Sequence, residues 1–418
     1  MAQMPPPTAL PGKPFFIRKT WVIGGIGPWD YLTLDPKTLQ LFVAHGTVVQ
    51  VVDVNTGTVM GEVSGLRAAH GIALDDTGQF GYVSDGPASE VKVFDRGTLK
   101  VVAAIPTGPS PRAVVFEPQT KLVFAVSADP IPEKPSVPEK PRAPERPGAA
   151  PPANVNRPRS ARNGAPQEYK STITVIDAQT QKALGTVVLP GKLSFAQASG
   201  EGQVYVSIVD RNEIAWIDAT EIEARMHGAP SRAETALAEA GQPVPARQPG
   251  AGVTLDWSAI PHSTQSSGNR VRFFPLGPGC REPRALAVDS RHVRLFAACD
   301  NMKMEVLNGS TGELVTSLPI GPGVDAVGYD AEHGLIYTAN GDAQGSLTII
   351  RQDVTDSYNV IQILPTRDRA RTLAVNPSSG EVYLVTDLTG VKLGQPGGIG
   401  TLKTAPIDGS FQVLVIGN

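Results

Sequence analysis

Apolar and polar positions recur along this chain as one repeated line. Residues 27–46 read GPWDYLTLDPKTLQLFVAHG, which is an apolar run, an Asp-Pro turn signal and a second apolar run ending at His-Gly. Related lines occupy residues 67–86, 109–128, 281–300, 322–341 and 368–387, with a weaker copy at 192–210. Self-similarity at a fixed period is the signature of a repeat architecture. The chain is therefore predicted to fold as seven copies of one unit.

Each copy continues into a third and a fourth apolar run, such as VVQVVDV and TVMGEVSG after the first line. Alternation with period 2, β-branched residues and short turns rich in Gly, Asp, Asn and Thr predict strands. Four antiparallel strands in about 40 to 46 residues describe one propeller blade. The sequence predicts an all-β fold, a seven-bladed β-propeller of four-stranded antiparallel blades.

One polar residue stands just before or at the start of the first apolar run of every copy. These seven anchor residues are Asp30, His70, Arg112, Ser194, Arg284, Asp325 and Arg371. Their spacings are 40, 42, 82, 90, 41 and 46 residues, so two intervals are about double the period. Both long intervals are predicted to hold insertions rather than further blades.

The first insertion, residues 129–170 in blade 3, contains PEKPSVPEKPRAPERPG. Proline at about every third position removes ladder donors, so a disordered, extended loop on the top face is predicted. The second, at about 221–270 on the bottom face of blade 4, is predicted to be partly helical. There Ser231 and Glu234 have capping-box spacing before an Ala-rich run.

The remaining chain is predicted to be a single β-propeller domain over residues 15–418, after a flexible segment at 1–14. Closing the ring removes open sheet edges. Two segments, FIRKTWVIGG at 16–25 and FQVLVIGN at 411–418, both match the fourth strand of the last blade. The sequence leaves open which of them closes it.

The repeated line, the turn in DVNTGTV and strand endings such as YVSDG and YTANG resemble the YVTN-type, YncE-like seven-bladed β-propellers of bacteria. The resemblance covers nearly everything except the two insertions. It implies a WD40-like repeat fold and an exported, periplasmic or otherwise extracytoplasmic protein. It carries no catalytic motif onto this chain.

Composition and the first residues limit the classes of partner and of cellular compartment that are expected. A formal charge of -3 gives no global attraction to phosphate, so no nucleic-acid partner is predicted. No apolar stretch approaches the roughly 18 residues of a membrane span. The first residues have neither the basic start nor the apolar core of a signal peptide, and Ala2 is the expected mature end after cleavage. A monomer is expected.

The top face of a propeller gathers the starts of the first strands and the ends of the second strands around the channel mouth. The predicted ligand-binding set is Asp30, His70, Arg112, Arg284, Asp325, Arg371, His45, Asp85 and Asn340. The three arginines offer planar donor forks suited to a carboxylate, a phosphate or a sugar acid. The alternative is that Arg and Asp alternate there as ion pairs between neighbouring blades.

No catalytic residues and no cofactor are predicted, because the chain has no recognisable nucleophile, metalloprotease or phosphate-loop motif. The alternative is a divalent metal held by His45, His70 and Asp85, in which case His70 would be the best acid or base. The Asp that ends strand three, as in Asp53 and Asp95, is predicted to accept backbone donors in the following turn.

Three functions are compatible with the sequence. The first is a non-enzymatic, exported binding protein that recognises a small anionic ligand or a protein partner at the top face. The second is a metal-assisted lyase or hydrolase at the channel mouth. The third is an interaction scaffold whose Pro-rich insertion is the ligand of a partner domain.

The chain has two cysteines, Cys280 and Cys299. Cys280 enters blade 5 and Cys299 ends its second strand, so the two meet at the same edge of the blade. That geometry suits the roughly 4.4 to 6.8 Å between Cα atoms that a disulfide needs. We predict a disulfide and, with it, an oxidising compartment.

Overall fold

The fold is a closed ring of seven antiparallel sheets. The computed structural model describes residues 13–127, 169–228, 252–258, 270–342, 344–392 and 403–418. Six blades follow the chain in order, and the seventh joins its two ends. The prediction of an all-β, seven-bladed propeller is confirmed.

The first strand, β1 (Phe16–Val22), belongs to blade 7. Blade 1 consists of β2 (Trp29–Asp35), β3 (Gln40–His45), β4 (Val48–Asp53) and β5 (Thr58–Val63). Blade 2 consists of β6 (Ala69–Leu74), β7 (Phe80–Asp85), β8 (Glu90–Asp95) and β9 (Val101–Pro106). Blade 3 consists of β10 (Pro111–Glu117), β11 (Leu122–Ser127), β12 (Lys170–Asp177) and β13 (Lys182–Pro190). Short 3-10 turns at Gly86–Ala88 and Val209–Arg211 follow the second strands of blades 2 and 4.

Blade 4 consists of β14 (Leu193–Ala198), β15 (Gln203–Ile208), β16 (Glu213–Asp218) and β18 (Val271–Pro275). The helix α1 (Ala219–Met226) and the strand β17 (Val253–Asp256) lie between β16 and β18 along the chain. Blade 5 consists of β19 (Pro283–Asp289), β20 (Arg294–Cys299), β21 (Lys303–Asn308) and β22 (Leu314–Pro319). Blade 6 consists of β23 (Val324–Asp330), β24 (Leu335–Asn340), β25 (Ser346–Val354) and β26 (Ser357–Pro365). Blade 7 contains β27 (Leu373–Val375), β28 (Val382–Thr386) and β31 (Gln412–Gly417), together with β1. Between β28 and β31, the strands β29 (Thr389–Lys392) and β30 (Lys403–Pro406) form a separate two-stranded sheet.

The two chain ends fill different places in blade 7. Its strand order is β27, β28, β31 and β1, so the C-terminal segment is the third strand and the N-terminal segment is the fourth. The expectation that either end could serve as the fourth strand is wrong for residues 411–418, which contain the third strand. The reason is order along the chain: β31 follows β28 and takes the adjacent place, which leaves only the outer edge for β1.

The core lies between blades, where apolar faces of neighbouring sheets meet. Tyr82, Tyr337 and Tyr383 are among the largest fully buried side chains. One cluster joins blade 1 to blade 7 through Trp29, Leu41, Tyr383 and Val415. Strand alternation explains this arrangement, since residues two apart face the same neighbouring blade.

The turns after the third strands confirm the predicted role of their Asp or Asn. Each side chain accepts a backbone N–H two or three residues on, as in Asp53 from Asn55 at 2.8 Å, Asp95 from Thr98 at 2.8 Å, Asp177 from Gln179 at 2.7 Å and Asn308 from Ser310 at 2.9 Å. These backbone hydrogen bonds lower the pKa of the Asp53 and Asp95 carboxyls. Asp218 caps α1 in the same way, through the backbone N–H groups of Thr220 and Glu221.

The second insertion contributes to a blade other than the one from which it leaves. Its strand β17 pairs in parallel with β13 and becomes a fifth, outer strand of blade 3. Gly185 permits this approach, because a Cβ atom there would collide with the carbonyl oxygen of Val253. The sequence did not predict α1 or β17. The helix predicted at Ser231 lies outside the described residues, as do 1–12 and nearly all of 129–170, although Lys170 already belongs to β12.

The predicted disulfide is confirmed. Cys280 and Cys299 are bonded, with 5.5 Å between their Cα atoms, and both are buried. In the described part of the chain, no helix has the length and apolar character needed to cross a bilayer.

We expect the double substitution Cys280→Ser and Cys299→Ser to lower the free energy of unfolding by about 3 kcal/mol, since the bond closes a short loop in the unfolded chain. Denaturant titration of the two proteins measures this difference. Thiol titration of the unfolded, unreduced wild-type protein should find no free thiol, and finding two would contradict the bridge.

Candidate functional site: the channel mouth

The seven innermost strands contact one another in a closed circle around the central channel. The chain enters each of these strands from the top face, so the anchor residues lie at the top of the channel. We call the ring of anchor residues the channel mouth. This placement follows from strand order alone.

A break in the strand ladder frees the anchor residues from regular pairing. In blades 1 to 6 the register between the first two strands shifts at the anchor, for example between Trp29 and Leu32 in blade 1 and between Pro283 and Ala285 in blade 5. Such bulges re-aim side chains and are common at the rims of closed sheets. They account for anchor residues that reach one another across blade boundaries.

Most charges at the mouth are already paired. Nδ1 of His70 lies 2.7 Å from Oδ2 of Asp30, and Nε of Arg371 lies 3.1 Å from Oδ2 of Asp325. Arg284 contacts its neighbours Glu282 at 2.7 Å and Asp300 at 3.5 Å. Five of the seven anchors are therefore paired: Asp30 with His70 and Asp325 with Arg371 between neighbouring blades, as in the ion-pair alternative, and Arg284 within its own blade. These pairs leave few charges available to a ligand.

Arg112 differs from the other two arginines. Its side chain is exposed at the mouth and makes no hydrogen bond or ion pair with any other described residue. Its main chain is fixed, because the carbonyl oxygen accepts a hydrogen bond from Oγ of Ser84 in the neighbouring blade at 2.6 Å. The backbone of Arg112 is thus held in place, while the N–H groups of its guanidinium have no partner among the described residues.

The electrostatic field of the mouth acts on Asp325 and Tyr31. Burial raises the pKa of the Asp325 carboxyl to about 6; Arg371 lowers it and Asp30 raises it. Burial also raises the pKa of the Tyr31 phenol well above its usual range, and the carboxylates of Asp325 and Asp30 raise it further. Tyr31 is consequently a neutral hydrogen-bond donor throughout the physiological range.

The predicted residues from the strand-two ends have structural roles. His45 is buried, with Nδ1 at 2.9 Å from Gln50 and Nε2 at 3.1 Å from the carbonyl oxygen of Gly27. Asp85 accepts the backbone N–H groups of Arg67 and Ala68. Asn340 is buried and donates to Thr338, Ser346 and Thr348.

The three candidate metal ligands are not brought together as a ligand set. His70 pairs with Asp30, while His45 and Asp85 are held in the separate hydrogen bonds given above. Within the described ranges, no three His, Cys, Asp or Glu side chains lie close enough to hold a metal ion. The geometry at the mouth is that of a rim of ion pairs around one open guanidinium.

Comparison with known proteins gives the fold class. No protein-family model matches the chain, and no curated protein does either. Among solved structures 1569 chains match, and one of them, described as "Structure of U3-55K", superposes with a TM-score of 0.59 at 8% identity. That alignment covers 94% of this chain and 97% of the other. The likeness confirms the β-propeller architecture and shows the fold alone.

We expect the Asp325 carboxyl to titrate with a midpoint near pH 6, because burial favours its neutral form. Carbon-detected NMR of the side-chain carboxyl measures the midpoint. Arg371→Ala should raise it and Asp30→Asn should lower it, since a nearby cation stabilises the carboxylate and a nearby anion opposes it. A midpoint near 4 that neither variant moves would contradict this account.

Proposed function

We propose that this protein is a non-enzymatic binding propeller that holds a small anionic ligand at the channel mouth. The observation that carries the proposal is Arg112, whose guanidinium faces the mouth without a partner while Arg284 and Arg371 are paired. A planar fork of donors on a fixed backbone suits a carboxylate, a phosphate or a sugar acid. Propellers commonly act as rigid supports for binding at such a face.

Tyr31 supplies a second donor to the same ligand. Its hydroxyl has no hydrogen-bond partner among the described residues, and the charges of Arg112 and Asp325 act directly on it. Because the phenol stays neutral, it can donate to an anion without adding charge of its own. One cationic fork and one neutral donor make a site for a single anionic group.

The pH dependence of this site follows from Asp325. Below about pH 6 its carboxyl is neutral, so the mouth loses a negative charge that would repel the ligand. Above that pH the carboxylate is charged and competes for the arginines around it. We therefore expect tighter anion binding at pH 5 than at pH 8, and a smaller difference in an Asp325→Asn variant.

We also propose that the protein belongs with the exported YncE-like propellers and works outside the cytoplasm. The Cys280–Cys299 disulfide supports this location, because stable disulfides persist in oxidising compartments and are rare in reducing ones. Fractionation of the source cells tests it: the protein should appear in the extracytoplasmic fraction in oxidised form. Recovery from the cytosol with free thiols would overturn this assignment.

Calorimetric titration with glucuronate, citrate and inorganic phosphate tests the ligand proposal. We expect at least one to bind the wild-type protein and Arg112→Ala to weaken that binding by about tenfold or more, as for the loss of one charge-assisted hydrogen bond. Arg67→Ala removes an exposed arginine from the same face outside the ring and serves as the matched control.

Binding that Arg112→Ala leaves unchanged would reject the mouth as the site. Failure of all three anions to bind would reject an anionic ligand of this size. Far-UV circular dichroism of each variant checks that the fold is retained.

A further inference from the structure

The residues directly below the anchors show a second pattern. The position after each anchor is Tyr31, Gly71, Ala113, Phe195, Ala285, Ala326 and Thr372 in blades 1 to 7. Two of these residues are aromatic, and the other five are small. In blades 1 to 4 this position also lies within the register shift, so the side chain is released from the regular ladder.

The two aromatic rings meet across the channel. The centroids of Tyr31 and Phe195 are 5.4 Å apart, with their planes inclined by 51°. Their strands, β2 and β14, are not neighbours in the ring of inner strands, so this contact spans the channel. Small residues in the other blades leave the space that the rings occupy. The aromatic pair lies one residue beyond the anchors Asp30 and Ser194 and forms part of the channel lining.

Below this pair lies a chamber of about 440 Å³, lined by the innermost strands of six blades. It runs from Tyr31 and Phe195 down to the bottom turns at Pro118, Ser199 and Gly200. Its walls include Leu32, Ile72, Val114, Ala196, Val327 and Leu373. This volume falls within the range of small-molecule sites, roughly 300 to 1,000 Å³.

The chamber and the mouth differ in charge: the mouth has charged side chains, and the chamber lining, as far as the structure describes it, has none. Among the described residues that line the chamber, none is Asp, Glu, Lys, Arg or His. Its polar side chains are neutral: Tyr31, Thr33, Gln197 and Ser199. The innermost strands also turn one backbone edge toward the channel, which offers further donors and acceptors. A charged ligand would lose its hydration there without meeting an opposite charge, which is strongly unfavourable.

We propose that the chamber is a second binding site, separate from the mouth, for a small uncharged molecule with an apolar or aromatic body and one or two hydrogen-bonding groups. Such a molecule enters from the bottom face and packs its flat body under the Tyr31–Phe195 pair. The Gln197 amide and the open strand edges bind its polar groups. The chamber and the anion site share the Tyr31 side chain, but Arg112, which carries the anion site, is not part of the chamber lining.

A pair of fluorescent probes tests the charge preference. N-phenyl-1-naphthylamine is neutral, and 1-anilinonaphthalene-8-sulfonate has the same rings with an added sulfonate. We expect saturable binding of the neutral probe at one per chain, at least about tenfold tighter than the sulfonate. Gln197→Trp should abolish it by filling the chamber, whereas Arg112→Ala should leave it unchanged, which keeps this result distinct from the anion proposal.

The proposal is overturned if the neutral probe shows no saturable binding, if the sulfonate binds equally well, or if folded Gln197→Trp protein still binds. A second measurement avoids any folding defect of that variant. Crystals of the wild-type protein soaked in 4-bromophenol at a pH where it is neutral should show anomalous scattering from bromine below Tyr31 and Phe195. A bromine peak only elsewhere would also reject the chamber.

Discussion

Ring closure by the two chain ends is the constraint on which the rest of this structure depends. β1 pairs with β31 from Phe16 against Gly417 to Val22 against Gln412, and this pairing completes the last sheet. Trp21 stacks on Tyr383 at 5.8 Å, and the backbone of Phe15 exchanges two hydrogen bonds of 2.8 Å with the Gln362 side chain of blade 6. Without this pairing the last blade would lose its outer strand, and the ring would no longer be held by both ends of the chain.

Closure of the ring also determines the width of the channel and which residues line it. Each inner strand has a neighbour on both sides around the ring, so its first residues face a shared space instead of bulk water. Hydrogen bonds between blades fix the spacing: Thr33 donates to the carbonyl of Ile72, and Thr372 to that of Asp30. Gly71 marks one tight approach, since a Cβ atom there would collide with the backbone of Arg112. The result is a narrow channel with defined side-chain tiers.

Those tiers divide the channel by charge. Apart from Ser194, the anchors at the top are ionisable and mostly paired, and burial raises the pKa of the Asp325 carboxyl to about 6. One position further down, the side chains are aromatic or small, and below them the walls are uncharged. A likeness at 8% identity to one solved structure assigns no function to either tier, since function on a shared fold lies in the particular side chains.

The sequence by itself determined the blades, because period-2 alternation and recurring turn residues such as Asp53 and Asp95 are local signals. It also determined the disulfide, since Cys280 and Cys299 lie at the same edge of one blade. Only the tertiary structure decided which end closes the ring, which arginine stays unpaired and where β17 docks. Pairing of Arg371 with Asp325, and contact of Tyr31 with Phe195, depend on distances across blades that no local pattern specifies. The sequence shows the small residues after the other anchors, but only the geometry of the channel shows that they leave space for the Tyr31 and Phe195 rings.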